Sequence, residues 1–228
     1  MFSRMTYQRF KQKLLSTLAG LGICGSMSGC RVGLLLGLLI AGPPTVEPEF
    51  ERATKESLSD KGVTVAVVCF APTEVRYSFE NVDHELAKYV SFRLAENKIS
   101  IISPDRVKNW LEEHKDWDKP EEIGAAFNTT YVIYIDINQF SLYEEGSATL
   151  YRGRSESIVN VWKMDKEDET AEKIFSIEKI SKFPSQNPIS TSEETYTNFK
   201  GRYLSRLSDE IGRFFYEYYN SDEIGSGS

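Results

Sequence analysis

Val63-Thr64-Val65-Ala66-Val67-Val68-Cys69-Phe70 narrows the fold of this chain more than any other stretch. It is almost wholly apolar and rich in β-branched residues, so it reads as a strand. It lacks the apolar–polar alternation of a strand with one wet face, so both of its faces must be covered. Gly62 marks its start and Ala71-Pro72-Thr73 its end. The segments that follow must therefore supply cover on two sides.

They have the periods to do so. Val82 to Asn97 places Val82, Leu86, Tyr89, Val90 and Leu94 at helical spacing. Ile99 to Ile102 predicts a short strand. Ser103-Pro104-Asp105 then opens a helix, with serine placed to cap and proline suited to the first turn. Asp118-Lys119-Pro120-Glu121 opens another through Phe127, and Asn128 can end it in a left-handed conformation. Tyr131 to Tyr143 alternates with a period of two. Glu144-Glu145-Gly146-Ser147 is a hairpin turn, and two further strands follow over Ala148–Met164 and Lys173–Phe183. Glu193 to Tyr219 carries Tyr196, Phe199, Tyr203, Leu207, Ile211, Phe214 and Tyr218 at helical spacing. The order β-α-β-α-α-β-β-β-α predicts an α/β fold, a mixed sheet with helices packed on it, in a single domain over residues 62–219.

The chain ahead of that domain has a different character. Arg4, Arg9, Lys11 and Lys13 precede an uncharged stretch from Leu14 to Gly29, which ends at Met27-Ser28-Gly29-Cys30. A basic head, an apolar middle and small residues before a cysteine predict a lipoprotein-type export segment over residues 1–30, with lipid on the Cys30 thiol. A second apolar run, Val32 to Ala41, permits another reading, in which Leu14 to Gly42 is an uncleaved membrane anchor. Arg31 would then cost roughly 2.5–3.5 kcal/mol at the bilayer centre. Residues 31–61 read as the apolar run followed by a linker stiffened by Pro43, Pro44 and Pro48, with a short helix or turn from Phe50 to Lys61. Residues 220–228 read as a disordered tail.

Arg4, Arg9, Lys11 and Lys13 are the only charges before Cys30, so the rest of the chain holds 23 basic and 34 acidic residues, a net charge of −11. That balance argues against nucleic acid as a partner, because phosphates require a positive face. Of three cysteines, only Cys69 falls in the folded part, and neither disulfide framework nor zinc spacing exists.

Several segments together resemble one family. They are Val65-Ala66-Val67-Val68-Cys69-Phe70, the helix Leu86 to Leu94, Ile101-Ile102-Ser103-Pro104-Asp105-Arg106-Val107 leading to Trp110-Leu111-Glu112-Glu113, and Ile123-Gly124-Ala125-Ala126 before Tyr131-Val132-Ile133-Tyr134-Ile135. Over residues 63–180 the pattern resembles the periplasmic lipoprotein superfamily. That superfamily includes the curli-secretion lipoprotein, the lipoprotein activators of penicillin-binding proteins and the amino-terminal domain of TolB. The layout also looks like uncharacterised planctomycete lipoproteins. Asp136 stands where the family has a glycine. The resemblance implies the fold and a lipoprotein of the envelope.

Candidate chemistry is sparse. His84 and His114 have no metal-ligand spacing around them, no Gly-x-Ser-x-Gly elbow or phosphate loop is present, and nothing calls for a cofactor. The paired acids Glu112-Glu113, Glu121-Glu122 and Glu144-Glu145 could serve acid–base chemistry or be solvated charge. Tyr151-Arg152-Gly153-Arg154 is the most unusual motif. Arg152 and Arg154 could hold an anionic group or a partner strand, or pair with Glu144, Glu145 or Glu156. Phe214 to Tyr219 is too aromatic for one helix face, so Phe215 and Tyr219, with Tyr151, are candidate contact residues. The function expected is that of a membrane-tethered periplasmic accessory lipoprotein acting through an envelope protein or its own copies. A cell-wall-modifying enzyme and a binding module for a small anion are the alternatives.

Overall fold

The computed structural model describes residues 45–168 and 170–219. In chain order the elements are β1 (Thr45–Val46), α1 (Glu49–Thr54), β2 (Val65–Phe70), α2 (Thr73–Ser78), α3 (Val82–Glu96), α4 (Pro104–Glu113), α5 (Pro120–Phe127), β3 (Tyr131–Tyr143), β4 (Leu150–Asp165), β5 (Thr170–Phe183), β6 (Ile189–Ser190), α6 (Tyr196–Gly212) and β7 (Tyr218–Tyr219). The export segment, Cys30, the second apolar run and the tail from residue 220 lie outside the described residues. No helix among the described residues is long and apolar enough to cross a membrane.

The main sheet runs β2-β3-β4-β5, with β6 also on β4. β2 is parallel to β3, and the later pairings are antiparallel. The mixed α/β sheet expected from the element order is thus present. β2 is covered on both faces, as its composition demands. Val65, Val67 and Cys69 join the core beneath α3 and α6, while Ala66 and Val68 face Val107 of α4 and Ile123 of α5. The second helical layer covers β2 and β3 and reaches only the Trp162–Ala171 end of β4 and β5, whose remaining length reverts to alternating burial.

Local chemistry accounts for the boundaries. Glu122 accepts hydrogen bonds from the backbone N–H groups of Asp118 and Lys119, both at 3.1 Å, which fixes the start of α5. Asn128 ends α5 at φ 50°, ψ 46°, in the left-handed region. Pro104 takes the first turn of α4, although the Ser103 hydroxyl forms no capping bond. Thr195 caps α6 through its Oγ1, which accepts from the Asn198 N–H at 3.3 Å.

Four expectations need correction. Ile99–Ile102 is not a strand but one parallel bridge, Ile101 to Val65, because Pro104 lacks the N–H that a longer ladder needs and starts a helix. Residues 45–61 are not a free linker, since the compact unit begins at Thr45. There β1 pairs with β7, and Phe50 and Leu58 are fully buried. Phe50 packs against Tyr131, Phe175 and Phe215 with centroids 5.6–6.0 Å apart, and its N–H donates to the Phe214 carbonyl at 3.0 Å. The last helix ends at Gly212 rather than Tyr219, and the chain turns back to form β7. Finally, α2 and β6 form in segments where composition alone suggests no element.

Candidate functional site

The Tyr151–Arg154 motif lies at the start of β4, beside the β3–β4 hairpin. Its side chains alternate. Tyr151 and Gly153 face α6: the Tyr151 ring stacks on Phe199 at 4.9 Å and 11°, and Gly153 lies under the Tyr203 ring. Arg152 is 6% exposed. Its Nε faces Glu144 Oε2 at 2.5 Å and its Nη2 donates to the Gln186 carbonyl at 2.7 Å. Arg154 faces Glu145 at 3.3 Å and donates to the Tyr143 carbonyl at 3.3 Å. Both guanidinium groups thus already hold a carboxylate from the hairpin, the pairing the sequence sets against an anion site.

The aromatic candidates separate. Phe215 is fully buried beside Phe50 and Phe175, so it is a core residue and not a contact residue. Tyr219 is 45% exposed on β7, opposite Thr45. The paired acids are also accounted for in part: Glu112 faces Lys108 at 3.6 Å, Glu122 caps α5, and Glu144 and Glu145 hold the arginines. Among the described residues no group of three His, Cys, Asp or Glu side chains could hold a metal ion.

A site that no local motif announces lies at the carboxyl end of β2. The chain leaves β2 through α3 to reach Ile101 on one edge, then returns through α4 and α5 to β3 on the other. The two crossovers diverge onto opposite faces, and a cleft opens where they part. Its volume is about 710 Å³, and its walls include Phe70, Arg76, His84, Lys108, Lys115 and Tyr134. Its electrostatics disfavour nucleophilic chemistry. The Cys69 thiol is pushed up by burial first, then by Asp83 and Asp136, so it stays protonated. Tyr134 is pushed up to about 12, again chiefly by burial. His84 is lowered by burial first and then by Lys108, against the opposing pull of Asp105, so its ring is neutral at pH 7. The cleft can hold a molecule with an apolar body, but it presents no nucleophile with an adjacent base. Sequence could not assemble it, because its walls come from four separated segments.

The other unoccupied surface is the outer edge of β5. No described strand pairs with it, and the adjoining face from Ser176 to Lys182 lies outside the cluster that α4 and α5 cover. Ile180 on that face is 63% exposed.

No protein-family model and no curated protein matches the sequence. Among solved structures, the chain is similar to the PelC dodecamer from Paraburkholderia phytofirmans, at 11% identity over 76% of this chain and 98% of that one, with a TM-score of 0.39. It is similar to lipoprotein GNA1162 from Neisseria meningitidis at 12% identity, over 65% and 97%, with a TM-score of 0.41. It is also similar to a minor lipoprotein from Acinetobacter baumannii at 9% identity, over 66% and 89%, with a TM-score of 0.31. Likenesses this distant carry no argument about what this chain does.

Proposed function

We propose that this chain is a membrane-tethered accessory protein of the cell envelope, with its domain in the periplasm, and that it works by protein contact rather than by making or breaking bonds. The open margin of the sheet carries this reading: a long strand without an outer partner among the described residues, beside a face that leaves Ile180 in water. The leader, with Cys30 as the lipid attachment point, supplies the tether. The acidic surface suits contact with protein better than with nucleic acid or anionic headgroups. Chemical crosslinking of the full chain in intact cells tests the proposal. Adducts with an envelope protein or with a second copy are expected. Recovery of the chain from cytosol without lipid, and without such adducts, would overturn it.

A second reading rests on the cleft. Arg76 and Lys115 line it, and neither has a carboxylate within ion-pair distance among the described residues. Arg76 lies over the Phe70 ring at 5.9 Å, and a small anion with an apolar body would suit this side of the cleft, away from Asp83, Glu112 and Asp118 in its other walls. Thermal stabilisation by such compounds that disappears in Arg76→Gln and Lys115→Gln would favour this reading. An unchanged melting temperature across the set would count against it.

A further inference from the structure

The open edge of β5 has a pattern that selects a partner. From Phe175 to Phe183 its register against β4 is unbroken, so side chains alternate strictly between faces. Phe175, Ser181 and Phe183 are buried, whereas Ser176, Glu178, Ile180 and Lys182 are exposed on the opposite face. Proteins usually blunt an edge of this length with lysines or proline that repel another strand. β5 does carry Lys173, Lys179 and Lys182, but on the exposed face about Ile180 the charges are complementary, with Glu178 two residues before it and Lys182 two residues after.

Two identical strands paired antiparallel about a two-fold axis place equal offsets from the axis opposite each other. With the axis at Ile180, the two Ile180 side chains meet, and each Glu178 stands opposite the Lys182 of the other copy. On the reverse face, Lys179 stands opposite Ser181 and Ile177 opposite Phe183. Lys179 already faces Glu210 of α6 at 2.9 Å, so it brings no unpaired charge to the seam. Neighbouring axes are worse: one at Ser181 sets Ile180 against Lys182 and Glu178 against Pro184, which has no N–H to give. An axis at Glu178 opposes two glutamates, and one at Lys179 or Lys182 opposes two lysines. An axis at Ile177 drives Ile180 against Ile174, in the stretch where β5 slips register between Lys173 and Phe175. We propose that the occupant of this edge is a second copy of the chain, joined through antiparallel β5–β5 pairing centred on Ile180, so that one sheet runs across both copies. This rests on the reading of the domain as a contact module and names its partner.

The test uses the full chain purified in mild detergent, followed by sedimentation and light scattering over a concentration series. A dimer is expected. Glu178→Lys alone, or Lys182→Glu alone, sets like charges opposite each other twice and should weaken dimerisation about tenfold. The combined Glu178→Lys/Lys182→Glu chain restores opposite charges and should return to within about twofold of the parent. Hydrogen exchange should show protection of residues 177–183 that grows with concentration and is lost in the single reversals. These exposed positions leave the core intact, and circular dichroism confirms the fold of each variant. A parent chain that stays monomeric overturns the inference, as does a dimer indifferent to the single reversals or not recovered by the double one. A monomeric chain that still crosslinks to an envelope protein in cells would sink this inference and leave the contact-module reading standing.

Discussion

Gly153 offers the sharpest test of how this fold is held. A Cβ placed on it would stand 2.3 Å from Cγ, 2.4 Å from Cδ2 and 2.6 Å from Cδ1 of Tyr203. Carbon atoms settle about 3.5–4.0 Å apart, so Gly153→Ala forces the ring or the strand to move by roughly 1 Å. Neither moves freely. Tyr203 is fully buried, its ring packs against Phe140 at 5.6 Å, and its hydroxyl donates to Ser155 Oγ at 2.9 Å. Overpacking of this kind costs about 1–3 kcal/mol, and contact with three ring atoms at once puts it near the top of that range. Alanine offsets about 0.5–1 kcal/mol through its smaller loss of backbone entropy. The net expectation is a loss of about 2 kcal/mol, read from the midpoint of urea unfolding. Tyr203→Ala alone should cost about 3–5 kcal/mol. Once the ring is gone, Gly153→Ala should become neutral or slightly stabilising. The reasoning fails if Gly153→Ala is harmless in the parent, or if its cost persists unchanged without Tyr203.

Two further predictions use the same kind of measurement. Phe50→Ala should cost about 3–5 kcal/mol, as for a core aromatic; a loss below about 0.5 kcal/mol would mean that residues 45–61 are a tether after all. Burial raises the Asp136 carboxyl above its ordinary 3.8, so folding disfavours its charged form; that penalty is complete above the raised value and fades as pH falls towards the ordinary one. Asp136→Asn should therefore raise the melting temperature at pH 7 and converge with the parent in acid, and a lower melting temperature at pH 7 would contradict the assignment.

Much of the fold is legible because single residues announce it. The unbroken apolar run at Val65–Phe70 demands two layers of cover, and two layers are found. Pro104 and Asn128 mark helix ends by chemistry that acts within one turn, whereas the start of α5 is fixed by Glu122, one residue beyond the Asp118–Glu121 signature that the sequence offers. Legibility fails where distant partners decide. The prolines and charges around Glu47 look like a tether, yet Phe50 is captured by Phe175 and Phe215, far along the chain. The aromatic spacing carries the last helix to Tyr219, whereas the chain turns at Gly212, where an added Cβ would come within 2.8 Å of the Tyr216 ring. The arginine motif is visible at once, but its meaning depends on a hairpin that folds Glu144 and Glu145 back onto it. The cleft depends on two crossovers parting, and no single segment records that.

The pairing of β1 with β7 brings the first and last described residues side by side, Thr45 opposite Tyr219 and Val46 opposite Tyr218. The folded unit is thus nearly a closed ring of chain. A short bridge between these neighbours could seal it, and the backbone could be cut at the solvent-facing Glu145–Gly146 turn without separating any of the principal layers. The described chain thus enters and leaves the domain at one place, Thr45 beside Tyr219.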